Sequence, residues 1–344
     1  MALARRTTLA VGAAVAGVFF AGAPVGGVEA QEDWLSVEPR LPAPMLSAAA
    51  AYQSFTNRAE AISPAFSGPD GVKQALEAAA PLQEGEFEQG MVAWGALAAL
   101  GDERFVEAVR REGQDPELAD RLSRFPTSVL QIDGAAEAAG RVEAALSARA
   151  QSIETIGQKV KAASYSLQSA RWSKLKPADG QVRLRDVEAF SQKPLLASLE
   201  DEERTRASAA REGGQAPGLQ ANASPAVVDA LALAALAALG DLGAESPPPV
   251  AVADEDDSAA CLRMARLNLY QCLAAAGPEY EDVYCLGEHA LKETGSCLAS
   301  SAGLGSGEPP LAIDAALSRA QPFEEEAVAS PSPARHDDDP DGWR

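Results

Sequence analysis

Apolar residues recur at three- and four-residue spacing along most of this chain, the signature of helices burying one face. Residues 45–62 carry Met45, Ala48, Ala51, Tyr52, Phe55 and Ile62 in that phase and stop at Ser63-Pro64. A second helix is expected over 71–80. A third is expected over 84–100, with Phe87, Met91, Trp94 and Leu97 on one stripe and Gly101 closing it. Helices over 102–112 and 116–124 follow. The longest candidate is 134–172, with Gly140 and Gly157 as weak points that leave one helix or two open. Ser224-Pro225 caps an apolar helix that ends at Leu239-Gly240, and at fifteen residues including Asp229 it is too short and too charged to cross a bilayer.

Punctuation separates these blocks. Prolines 39, 42 and 44 predict an extended lead-in over 31–44 before an α-helical domain at 45–242. The Gly/Ala/Gln/Ser stretch 213–224 reads as a loop. Ser246-Pro247-Pro248-Pro249 and the acidic run through Asp257 read as a linker at 243–257. Beyond 300 the composition turns to Gly, Pro, Ser and acids, which predicts a disordered acidic tail at 301–344, with a short helix near 311–320. The fold class is therefore all-α, a helical bundle or array with a C-terminal helical hairpin.

That hairpin, 258–300, holds all four cysteines: Cys261, Cys272, Cys285 and Cys297. Eleven residues separate the first two, three helical turns to within about 20°, so they share a face. Gly277-Pro278 breaks the chain, and Thr294-Gly295 is expected to end the second helix near Cys297. Partners in an antiparallel pair lie symmetrically about the turn. The midpoints of 272/285 and 261/297 both fall at the Gly-Pro turn, which favours nested Cys272–Cys285 and Cys261–Cys297 bridges over the two other pairings. The competing chemistry is zinc held by Cys285 and His289, at i and i+4. Wide cysteine spacing and an oxidising compartment argue for disulfides, so no metal and no cofactor is assigned.

Compartment is read from the first thirty residues. Arg5-Arg6, an apolar run from Leu9 to Phe20 and the small-residue site Val28-Glu29-Ala30 form a signal peptide, with the mature chain starting at Gln31. Export to the periplasm follows, with no anchor expected after cleavage.

Charge narrows the partners. Removing 1–30 leaves 27 basic and 49 acidic residues, a net charge of −22, which repels nucleic acid and anionic lipid. Alanine dominates the 47% apolar fraction and aromatics make up 5%, consistent with close helix packing. Catalytic constellations are not found: His289 and His336 are the only histidines, and no phosphate loop, dinucleotide fingerprint or His-Glu-x-x-His occurs. Ser173-Lys174-Leu175-Lys176 matches Ser-x-x-Lys, and Lys292-Glu293-Thr294-Gly295 distantly echoes Lys-Thr-Gly. An all-α fold, however, lacks the sheet that chemistry uses. Tyr270, Tyr280, Tyr284 and His289 make the hairpin a candidate interface for another exported or envelope protein. A small-ligand pocket around Lys159, Lys161, Tyr165 and Trp172 is the alternative.

The stretches Ala61-Ile62-Ser63-Pro64-Ala65-Phe66, Gly90 to Leu100, Gln158 to Tyr165 with Trp172-Ser173-Lys174, Leu267 to Cys272 and Tyr280 to Gly287 resemble a family of exported, alanine-rich helical proteins of mainly alphaproteobacterial species. The resemblance carries no activity with it. The hairpin also looks loosely like the twin Cys-x9-Cys helical hairpins of mitochondrial proteins, differing in both spacings and in compartment.

Overall fold

Each helix of this chain exists because it can bury an apolar stripe against another, and the central one has no exposed stripe left. The structure is a computed structural model that describes residues 39–79, 84–176, 180–192, 198–212, 223–240, 242 and 257–304. Among these residues every regular element is helical. The expected signal peptide, most of the expected lead-in at 31–44, the residues after 304 and nearly all of the expected loop at 213–224 and linker at 243–257 lie outside them.

Helix α1 (Ala43–Glu60) starts two residues earlier than the prolines suggest. Pro44 falls in its first turn, where a missing N–H costs nothing. Helices α2 (Pro69–Ala79), α3 (Glu84–Ala99), α4 (Glu103–Glu112) and α5 (Leu118–Arg124) follow, and Asp102 caps α4 by accepting from the Phe105 N–H. Helix α6 (Ala135–Leu167) is one unbroken element of 33 residues. Helices α7 (Gly180–Ser191) and α8 (Leu199–Glu212) come next, then α9 (Pro225–Leu239), capped by Ser224 and ended by Gly240 at φ 72°. The hairpin consists of α10 (Asp257–Ala275) and a return arm of α11 (Glu279–Cys285), a π-helical segment (Leu286–Glu293) and α12 (Thr294–Ser301).

The core forms where α1, α6 and α9 surround α3. Every residue of α9 from Ala226 to Ala238 is buried, as expected of a helix apolar on all sides. Alanine and glycine let these axes approach closely: a Cβ at Gly90 would lie 2.7 Å from the Ala48 carbonyl oxygen, and one at Gly95 would lie 2.9 Å from Ala230 Cβ. Bulk is concentrated in an aromatic cluster in which the Phe87 ring meets Tyr52 and Phe55, each at 5.3 Å. Arg149 lies 5.2 Å above the Trp94 ring and donates to Glu212 on α8 and to Asn57 on α1, tying three helices at a buried charge.

The hairpin does not stand apart from this core. Val283, Leu286, Leu291 and Leu298 join the same buried cluster as α3 and α9, and the described residues from Pro39 to Leu304 belong to one compact unit. The Ser224 hydroxyl donates to the Ser301 carbonyl at 2.7 Å, closing the end of α12 onto the start of α9.

Candidate functional site in the stapled hairpin

Both nested bridges are present: Cys272–Cys285 next to the turn and Cys261–Cys297 at the open end, with Cα separations of 5.6 and 5.7 Å. Cys285 is thereby committed to a bridge and is not free to pair with His289 at a metal.

The two arms differ by one residue between cysteines, and that residue shapes the return arm. On α10, eleven residues of α-helix bring Cys261 and Cys272 to one face. On the return arm twelve residues separate Cys285 from Cys297, and an α-helix would carry Cys297 about 120° past three full turns. The π segment, with its wider i to i+5 turns, removes about 15° per residue over eight residues and restores the alignment.

Gly295 does not end the second helix, contrary to the cap read from Thr294-Gly295. The arm runs on to Ser301, and Gly295 sits inside it because α6 is too close for a side chain. A Cβ there would meet the Ala150 carbonyl oxygen at 2.8 Å. Gly287 is tighter still, its Cβ position lying 2.4 Å from the Lys161 backbone nitrogen, and Gly157 on α6 faces Lys292 N in the same way at 2.5 Å. Gly157 is thus a contact point of an unbroken helix.

Charged groups line the rim of this crossing. Lys161 on α6 and Lys292 both pair with Glu288, at 2.7 and 3.1 Å. Burial opposes the Glu288 charge, but the two lysines together outweigh it and hold the carboxyl below its ordinary range. Lys161 also lies 5.3 Å over the Tyr284 ring, which packs edge-on against Tyr165. His289 Nδ1 is 2.8 Å from Glu293, whose other oxygen accepts from Asn268 on α10.

Of the four expected interface residues, three are therefore half-buried and engaged within the chain. Tyr270 shares a 3.0 Å hydrogen bond with Ser191, Tyr284 meets Lys161 and Tyr165, and His289 meets Glu293. Tyr280 is half-buried beside the turn. Of the alternative pocket group, Lys161 and Tyr165 come together on Tyr284, Lys159 is exposed and Trp172 packs against the core. Ser173 is buried with its hydroxyl on the Leu167 and Ala170 carbonyls, closing the C-terminus of α6.

Apolar surface is exposed instead on the outward face of α10. Ala259, Leu262, Ala265, Leu269 and Leu273 fill the inner stripe, leaving Met264 and Leu267 out of phase, 53% and 45% exposed. Three residues apart, they are neighbours on the helix surface. Beside them a groove of about 650 Å³ runs between α10 and α7, with Arg266, Tyr270 and Gln271 on one wall and Leu184, Glu188 and Gln192 on the other. The signal was available in the sequence: two large apolar residues off the phase of the buried stripe.

No protein-family model, curated protein or solved structure matches this chain.

Proposed function

We propose that this chain is an exported protein of the Gram-negative envelope that acts by binding another exported protein and not by catalysis. The stapled arm α10 is its binding element. The observation that carries this reading is the placement of Met264 and Leu267. Both lie between Cys261 and Cys272, on the helix segment clamped at each end by a disulfide, and both face solvent next to an open groove. Scattered exposed apolar residues need no explanation, but an adjacent pair on a rigid helix beside a groove is how helical binding faces are built. A rigid face also loses little conformational freedom when it docks.

The compartment fits. Two disulfides persist where the environment is oxidising, and among the described residues no helix is long and apolar enough to cross a membrane. The signal-like start and the resemblance to exported alphaproteobacterial proteins support the same reading. A strongly acidic chain selects a partner that offers an apolar patch with a neutral or basic rim.

The test compares wild type with the Met264→Glu/Leu267→Glu double variant, each expressed at native level. N-terminal sequencing of the periplasmic form should begin at Gln31. Native electrophoresis should show wild type in a larger complex and the double variant at monomer size with unchanged helicity. Cytoplasmic retention, or equal migration of the two forms, would contradict the reading.

A further inference from the structure

A second cleft, on a different face from the proposed binding arm, lies where α2 and α7 meet the start of α11. Its volume is about 350 Å³, at the small end of the range for ligand pockets. Val72, Leu76, Val182, Val187 and Phe190 supply apolar walls. Lys73 and Asp186, 2.6 Å apart, bridge α2 to α7 at the rim. Arg183, Asp282, Glu279 and Asp70 provide the remaining charge, with Asp282 only 1% exposed.

The polar groups of the cleft are unequally matched. Each cation is already engaged: Lys73 with Asp186, and Arg183 with Asp282 at 2.5 Å and with the Ala276 carbonyl at 2.7 Å. Among the described residues the Glu279 carboxylate accepts no hydrogen bond, although it is half-buried, and burial pushes its carboxyl above the ordinary range against the weaker pull of Arg183. Asp70 is a further acid on the wall. The cleft thus holds four carboxylates against two paired cations, and although the Arg183 Nε–H has no partner and Lys73 has N–H groups to spare, an anionic ligand would add to the excess of negative charge. A bare metal ion fits no better, since among the described residues no three His, Cys, Asp or Glu side chains are grouped to hold one. Charge and wall chemistry together call for a positive group on an apolar body.

We propose that this cleft binds a small organic ammonium ion, its charged nitrogen on Glu279 and its apolar body against Val72, Val182 and Phe190. The cleft lies across α7 from the α10 groove, and its proposed ligand does not depend on the partner proposed for α10.

The experiment is calorimetric titration of the purified full chain with 2-phenylethylamine, and with 3-phenylpropionate as an anion of the same shape. The amine is expected to bind at least tenfold more tightly than the acid. Glu279→Gln, which keeps the shape and removes the charge, should weaken amine binding about tenfold with no change in helicity. Val182→Trp, at a half-exposed wall position, should block it by filling the cleft. Equal binding of amine and acid, or amine binding indifferent to both substitutions, would overturn the proposal.

Discussion

The two arms of the stapled hairpin contain the same cysteine count and face the same bridges, yet they solve opposite problems. Arm α10 is a regular α-helix with its cysteines eleven positions apart, one face on the core and the other in solvent. The return arm must fit twelve residues into the same three turns while lying against α6 at backbone contact, and it does so by widening into a π-helix and by placing glycine where the axes meet. Regularity leaves α10 free to display side chains. Irregularity lets the return arm disappear into the core. A segment can thus be rigid for two reasons, and only one of them leaves a surface to offer.

The sharpest way to break this comparison is to shorten each arm by one residue. Deleting Asn268 from α10 rotates Cys261 about 100° away from Cys272, so one bridge should fail to form and stability should fall by more than 4 kcal/mol. Deleting His289 from the π segment should let the arm return to α-helix with both bridges intact. Thiol mapping of the two deletion variants distinguishes these outcomes.

Removing whole bridges is the next largest effect. In the chain-entropy picture the 36-residue loop of Cys261–Cys297 is worth about 4 kcal/mol and the 13-residue loop of Cys272–Cys285 about 3 kcal/mol. Paired serine substitutions followed by urea unfolding measure both. Gly287→Ala drives a Cβ to 2.4 Å from the α6 backbone and should cost about 3 kcal/mol, whereas Gln271→Ala on the exposed face of α10 should stay within about 0.5 kcal/mol.

A pH dependence comes from the turn side of the return arm. Burial raises the Asp282 carboxyl to about 6, against the pull of Arg183 and with help from Glu279 and Glu281. Because the folded chain holds this proton more tightly than the unfolded chain, the group's contribution is fully present below about pH 4 and is lost as pH rises through 6. The loss amounts to roughly 2 to 3 kcal/mol. Unfolding curves at pH 4, 5, 6 and 7 should show this decline in wild type and lose it in Asp282→Asn.

Much of the fold could be read from local signals. The caps of α9 and the symmetry of the cysteines about Gly277-Pro278 are statements about neighbours in sequence, and the structure agrees with both. Glycine was harder, because the same residue ends a helix or admits a second backbone. Gly240 does the first, while Gly157 and Gly295 do the second. The twelve-residue cysteine spacing already carried the 120° surplus that the π segment absorbs, so that feature was legible in principle. The α2/α7/α11 cleft was not, since it joins Lys73, Arg183 and Asp282 from three separate stretches with no shared motif.

If α10 is the displayed arm of an exported protein, a photo-crosslinking residue placed at Leu267 in living cells tests that most directly. One discrete adduct with a single exported protein is predicted from position 267, lost when Met264 is changed to Glu and absent from the exposed position 200 of α8. Equal crosslinking from both positions, or none from 267 while the folded and oxidised protein is present, would contradict it.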